Sequence, residues 1–244
     1  MNTCFLSSIH RAGLSALLLC ALFIPVQRGI AQRVIDKDVT SFDRIEFVGR
    51  ADIKLRQGSD PHVRLEASDE DDLRYFSTEV RGSTLRIEYE HDGDDWMNFA
   101  PKIEVTITYL ELRHLHITGL AQLTSFDKIH HDRFKLEVEG MGNFDLGLVV
   151  ESLDIVSAGT ANINLSGMAD EVDIVNDGTG TIDAFDLVCQ RADVEVNGTG
   201  LIRINSQERL RAEANGFGAS VKYRGDPKET YFDTSGFASI KADN

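Results

Sequence analysis

Gly140-Met141-Gly142-Asn143-Phe144-Asp145-Leu146 decides the fold, because the chain repeats its pattern. It returns as Gly159-Thr160-Ala161-Asn162-Ile163-Asn164-Leu165, as Gly178-Thr179-Gly180-Thr181-Ile182-Asp183-Ala184 and as Gly198-Thr199-Gly200-Leu201-Ile202-Arg203-Ile204. Gly236-Phe237-Ala238-Ser239-Ile240 closes the series, and Gly216-Phe217-Gly218 keeps the glycine pair with its next apolar residue, Val221, one place late. The leading glycine advances by 19, 19, 20, 18 and 20 residues. A period that steady marks a solenoid.

The alternation of apolar and polar residues after each glycine is the two-residue period of a strand with one buried face. Glycine supplies the positive φ of a tight corner, and a small residue two places on lets neighbouring turns stack closely. The dipeptides Asp177-Gly178, Asn197-Gly198 and Asn215-Gly216 are turn signals, and a meander of antiparallel hairpins would also use them. Yet the same half-pattern precedes every glycine and the same half follows it, which suits translation along an axis. The expected fold is all-β, a parallel β-helix of about seven or eight rungs, each of about 20 residues and spaced roughly 4.8 Å apart. Equivalent positions then form ladders along the coil.

Outward from this core, Leu115-His116-Ile117-Thr118-Gly119-Leu120-Ala121-Gln122-Leu123 begins the regular part, residues 115–243. Gly49-Arg50-Ala51-Asp52-Ile53-Lys54-Leu55 writes the same pattern much earlier, after the alternating Phe42-Asp43-Arg44-Ile45-Glu46-Phe47. Residues 34–110 read as an irregular β portion holding the first turns of the same coil. Within it, Val63-Arg64-Leu65 is a strand, and Asp69-Glu70-Asp71-Asp72 opens one short helix ending near Phe76, since acids favour a helix N-terminus. A hairpin turns at Arg81-Gly82-Ser83, and Lys102 to Tyr109 is an alternating strand. With no second hydrophobic core in view, residues 32–244 are expected to form one domain.

Residues 1–31 read as an export signal, with Arg11 early, an apolar run from Leu14 to Ile24, and the small residues Gly29 and Ala31 at the cleavage site. The run is too short for a transmembrane helix. Cys20 follows Leu19 where a lipoprotein signal needs a small residue, which argues against a lipid anchor. Cleavage removes Cys4 and Cys20 and leaves Cys189 alone, so no internal disulfide is expected. The whole chain carries a net charge of −15, and loss of Arg11 and Arg28 leaves 23 basic against 40 acidic residues, or −17. That balance argues against nucleic acid and anionic lipid surfaces as partners.

The opening Phe42-Asp43-Arg44-Ile45, the Gly-x-Gly corners, and Tyr223-Arg224-Gly225-Asp226-Pro227 followed by Ser235-Gly236 resemble a secreted bacterial family, the putative auto-transporter adhesin, head GIN domain family. The resemblance runs from about Val34 to Asp243. Corners at Gly159-Thr160-Ala161, Gly216-Phe217-Gly218 and Gly236-Phe237-Ala238 depart modestly from the family's usual Gly-Ser-Gly or Gly-Thr-Gly. The resemblance implies a right-handed β-helix, a periplasmic, outer-surface or extracellular location, and a non-catalytic role in adhesion or binding, with no catalytic set to carry over. Two other readings stand beside it: a polysaccharide lyase or hydrolase, and a structural or stress-linked envelope protein without a ligand.

Candidate sites follow from the ladders. Five residues past each corner stand Asp145, Asn164, Asp183 and Arg203, and two carboxylates two rungs apart approach the spacing used by inverting glycosidases. Alternation turns this row to solvent, where any coil needs polar residues. The corner tips Met141, Thr160, Thr179, Thr199, Phe217 and Phe237 would form a ridge suited to a glycan or a surface protein. Asp92, Asp94 and Asp95 with Gly93 offer oxygen ligands for calcium but lack a closing acid, and solvated loop acids are the simpler reading. Trp96 beside them is a core anchor or a sugar platform. His114 with His116, and His130 with His131, invite zinc but have no cysteine near. Cys189 reads as a small buried residue. No motif calls for a cofactor. Open coil ends are sticky edges, which points to capping or self-association.

Overall fold

The computed structural model describes residues 33–67, 70–89 and 102–243. The export segment, and the acidic loop with Asp92, Asp94, Asp95 and Trp96, lie outside the described residues. The elements are β1 (Arg33–Asp38), β2 (Arg44–Gln57), β3 (His62–Ala67), the single turn α1 (Glu70–Leu73), β4 (Phe76–Arg81), β5 (Thr84–Tyr89), β6 (Ile103–Tyr109), β7 (His114–Ser125), β8 (Ile129–Ser157), β9 (Thr160–Asn176), β10 (Thr179–Asn197), β11 (Thr199–Arg224) and β12 (Glu229–Ala242).

From β7 to β12 every neighbouring pair is parallel and in the order of the chain. This is the solenoid, and the hairpin meander is excluded. The corner glycines stack in one column: Gly119 on Gly140, then Gly159, Gly178, Gly198, Gly216 and Gly236, about six turns in series. Gly49 is the eighth member, because β2 pairs parallel with β7 at an offset of seventy residues.

Inside the coil, alternation builds apolar ladders. Ile53, Leu123, Phe144, Ile163, Ile182 and Ile202 lie in register, and all are buried. Leu153, Val172, Ala192 and Leu210 form a second buried ladder. Each such side chain removed from water stabilises the fold by about 1.5–3 kcal/mol before entropy is counted. The buried residues from Phe42 to Val221 form one continuous cluster. Polar groups enter this interior beside the corners, where Asn176 is buried and its Oδ1 accepts the Gly178 N–H at 3.2 Å.

The early strands extend the same coil, but not in the order of the chain. β5 and β6 pair parallel with the two halves of β2, on the edge away from β7, and β4 and β3 then run antiparallel outside them. β1 closes the outside of β3. β5 lies along the first half of β2 and β6 along the second, so the two strands together repeat the rung of β2 on its far side. The expected helix is one turn, and Gly82 at the β4–β5 hairpin has φ of 62°.

Glycine at the corners has two causes. Gly198 and Gly216 take φ of 133° and 127°, which L side chains rarely adopt. Gly159 and Gly178 do not; they are glycine for room. A Cβ on Gly159 would fall well inside 3.0 Å of the Gly140 carbonyl oxygen, and one on Gly178 would strike Gly159 in the same way. Backbone atoms of a stacked rung cannot move aside. Gly159→Ala is therefore expected to cost about 3 kcal/mol or more in chemical denaturation. Gly147→Ala, whose methyl would press only on the flexible Lys128 side chain at 3.2 Å and otherwise make ordinary contacts, should cost about 0.5 kcal/mol or less.

Candidate contact surface

Outward residues one position past each corner glycine make the most exposed apolar feature of the coil. Met141, Thr160, Thr179 and Thr199 stack in register, and Phe217 stacks on Phe237. The Thr199 hydroxyl donates to the Phe217 carbonyl at 2.9 Å, which joins the two runs. Phe217 and Phe237 are 76% and 79% exposed, with ring centroids 5.3 Å apart and edge to face. The ridge thus has threonine hydroxyls at its middle and apolar side chains at both ends.

A polar column stiffens the ridge. Asn197 Nδ2 donates to Asp177 Oδ1, Asn215 Nδ2 donates to Asn197 Oδ1, and Ser235 Oγ donates to Asn215 Oδ1, at 3.0, 3.2 and 2.9 Å. On the other flank Asn162 Nδ2 donates to Asn143 Oδ1 at 3.1 Å. Sequence reading took Asp177, Asn197 and Asn215 only as turn formers. Their repetition just before each glycine was the signal that they would stack.

The Asp145, Asn164 and Asp183 row stacks in register with Arg203 on the outer face. Asp145 and Asn164 are exposed. Asp183 is held from two sides: its Oδ2 accepts from Arg203 Nη1 at 2.7 Å, and its Oδ1 accepts the Phe185 N–H at 3.2 Å. Such a row turns its polar groups to solvent.

Two features on a neighbouring face went unread in the sequence, since neither falls near a glycine. Asp154, Asp173 and Asp193 stack on three consecutive rungs. Burial, then the carboxylates of Asp154 and Asp193, push the Asp173 carboxyl above its ordinary range. Toward the N-terminal side, Arg44, Arg113, His114, Arg133 and Lys135 surround a cavity of about 330 Å³ with Phe134 and Asp154. Part of its charge is answered locally, by Arg113 on Asp43 at 2.7 Å and by His114 on Glu137 at 2.6 Å. Burial alone would raise Glu137, but hydrogen bonds from Lys135 and His114 hold it below the usual carboxylate range.

His114 and His116 are thus engaged with acids. His116 faces Glu139 at 3.7 Å, and its ring is parallel to that of His114. His131 Nδ1 accepts the Arg133 N–H. Among the described residues no group of His, Cys, Asp and Glu is arranged to hold a metal ion. Cys189 is fully buried, and burial pushes its thiol up to about 11. Among the described residues no helix is long and apolar enough to cross a membrane.

Comparison with known proteins gives two results and one blank. Residues 41–227 match the family model described as "Putative auto-transporter adhesin, head GIN domain". Among solved structures, a putative adhesin from Bacteroides fragilis superposes with a TM-score of 0.79 at 21% identity, over 87% of this chain and 97% of that one. A putative lipid binding protein from Parabacteroides distasonis gives 0.66 at 21% identity, over 87% and 97%. A putative adhesin from Parabacteroides merdae gives 0.61 at 18%, over 87% and 96%. These likenesses concern fold. No curated protein matched.

Asp173 sets a test of the acidic stack. A carboxyl raised by folding favours the protonated form, so the repulsion is absent below its ordinary value of 3.8 and complete once pH has passed the raised one. Asp173→Asn should therefore stabilise the coil at pH 7 by a few tenths of a kcal/mol, roughly the size of a cross-strand like-charge term. The gain should vanish as thermal melts are repeated toward pH 3.

Proposed function

The chain belongs to the family described as putative auto-transporter adhesin, head GIN domain, and on that premise we propose that it is a non-catalytic adhesion scaffold, exported to the bacterial envelope, which grips a partner along the corner ridge. The observation that carries this reading is the exposed Phe217–Phe237 pair at one end of a stacked threonine row. Two large rings held in water on a rigid backbone lose little entropy when a partner covers them. Hydroxyls of Thr160, Thr179 and Thr199 then supply hydrogen bonds at a repeat of roughly 4.8 Å. A glycan chain or the edge of a surface protein fits such a strip.

Export rests on residues 1–31, and the net charge of −15 keeps the proposed partner away from nucleic acid. A polysaccharide-cleaving role would have to use Asp145, Asn164 and Asp183, where Asp183 is already engaged by Arg203. That reading is not favoured.

The test is biolayer interferometry against immobilised host and bacterial polysaccharides and intact cell-surface fractions. The Phe217→Ser/Phe237→Ser double variant should lose about tenfold or more in affinity while keeping its circular dichroism spectrum, since each ring contributes about 1 kcal/mol or more when covered. Binding unchanged in that variant overturns the ridge. Shortened polysaccharide products, abolished by Asp183→Asn, overturn the non-catalytic reading.

A further inference from the structure

Among the described residues the two outer edges of the coil differ. On the N-terminal side, β5 and β6 cover the free edge of β2, and the outermost strands β1 and β4 have six residues each. β1 places Arg33, Asp36, Lys37 and Asp38 among its six residues, and Lys37 Nζ donates to the Thr78 carbonyl of β4 at 2.5 Å. Short, charged edges resist further pairing. β12 is longer and more sparsely charged, with Glu229, Asp233 and Lys241 among its residues. It runs for 14 residues and, among the described residues, pairs only with β11. Its inward positions Thr230, Phe232 and Thr234 continue the columns of Leu210, Ala212 and Ala214, which are buried, yet all three are exposed. The core column therefore emerges into water on the last rung, with Phe232 41% exposed.

We propose that β12 pairs antiparallel with β12 of a second copy of this chain, about a two-fold axis at Phe237, joining two coils end to end. The bend sets the register. β12 turns at Gly236, where φ is 75°, so only a pairing centred near the corner lays bend against bend. Charge then selects the centre. About Phe237, Asp233 of each copy lies opposite Lys241 of the other, twice by symmetry. Neither residue has an ion-pair partner in its own chain among the described residues. Moving the centre one residue back to Gly236 would instead set Glu229 against Asp243.

Size agrees with charge. Inward positions meet large against small: Phe232 opposite Ala242, Thr234 opposite Ile240, Gly236 opposite Ala238. The two Phe237 rings meet on the axis and extend each Phe217–Phe237 pair into a row of four rings. An isologous contact of this kind uses up both open edges and closes as a dimer, not a filament.

The proposal stands apart from the ridge reading, because it is read without any ligand. Sedimentation equilibrium of the purified chain should show a dimer. Asp233→Lys and Lys241→Glu should each weaken it by about tenfold or more, since each replaces two attractive pairs by two repulsive ones. An equimolar mixture of the two variants should recover the dimer, because opposite charges face each other again in the mixed pair. Phe237→Cys should cross-link on oxidation, and Phe217→Cys, one rung in, should not; this pair reads the geometry should a charge variant fail to fold. A wild-type chain that stays monomeric at every concentration overturns the proposal. So does a dimer indifferent to both charge reversals, or one that never cross-links at Phe237→Cys.

Discussion

The close approach of one corner glycine to the carbonyl of the glycine below it is the constraint on which this coil depends. A side chain at Gly140, Gly159 or Gly178 would occupy the space of the neighbouring rung's backbone. Because those positions are empty, rungs reach hydrogen-bonding distance at the corner as well as along the flats. The buried ladders then line up without further specification, as Ile163 over Phe144 and Ile182 over Ile163 show. A glycine that seems to serve a turn serves the stacking of turns.

Register has a second consequence, on the outside. Whatever one rung presents, the next presents roughly 4.8 Å away, so chemistry is multiplied in columns. At Asp177, Asn197, Asn215 and Ser235 the multiplication produces a hydrogen-bonded chain. At Asp154, Asp173 and Asp193 it produces repulsion. At Phe217 and Phe237 it leaves two aromatic rings in water. Such columns differ from a catalytic site, in which unlike groups converge on one point inside a pocket. The exposed Asp145 and Asn164 and the clamped Asp183 show the difference at the level of single residues.

Most of the coil was legible because its signal is a translation. Glycine spacing and alternation named the corner, the buried face and the outward rows from 115 onward. The N-terminal part was not, since which strand neighbours which is a long-range choice. Nothing local in Gly49-Arg50-Ala51 says that β2 will lie against β7 at an offset of seventy residues, or that β3 and β4 will run backwards outside it. The rows of the candidate surface were read where they touch a glycine. The three stacked aspartates and the basic cavity around Arg44, Arg113 and Arg133 were missed, because they sit five or more residues from the corner and have no local marker. The cause given for the glycines also needed revision: positive φ holds at Gly198 and Gly216, whereas Gly159 and Gly178 are demanded by proximity.

Removing one whole rung tests this account most directly. Deleting residues 160–178 joins Gly159 to Thr179, so that every column closes up with its register intact. If stacking of equivalent corners organises the chain, the shortened protein keeps a β-type circular dichroism spectrum and unfolds in one cooperative transition at a lower temperature. A shortened chain with no cooperative transition would contradict it, because the rungs would then depend on particular neighbours and not on translation along the glycine column.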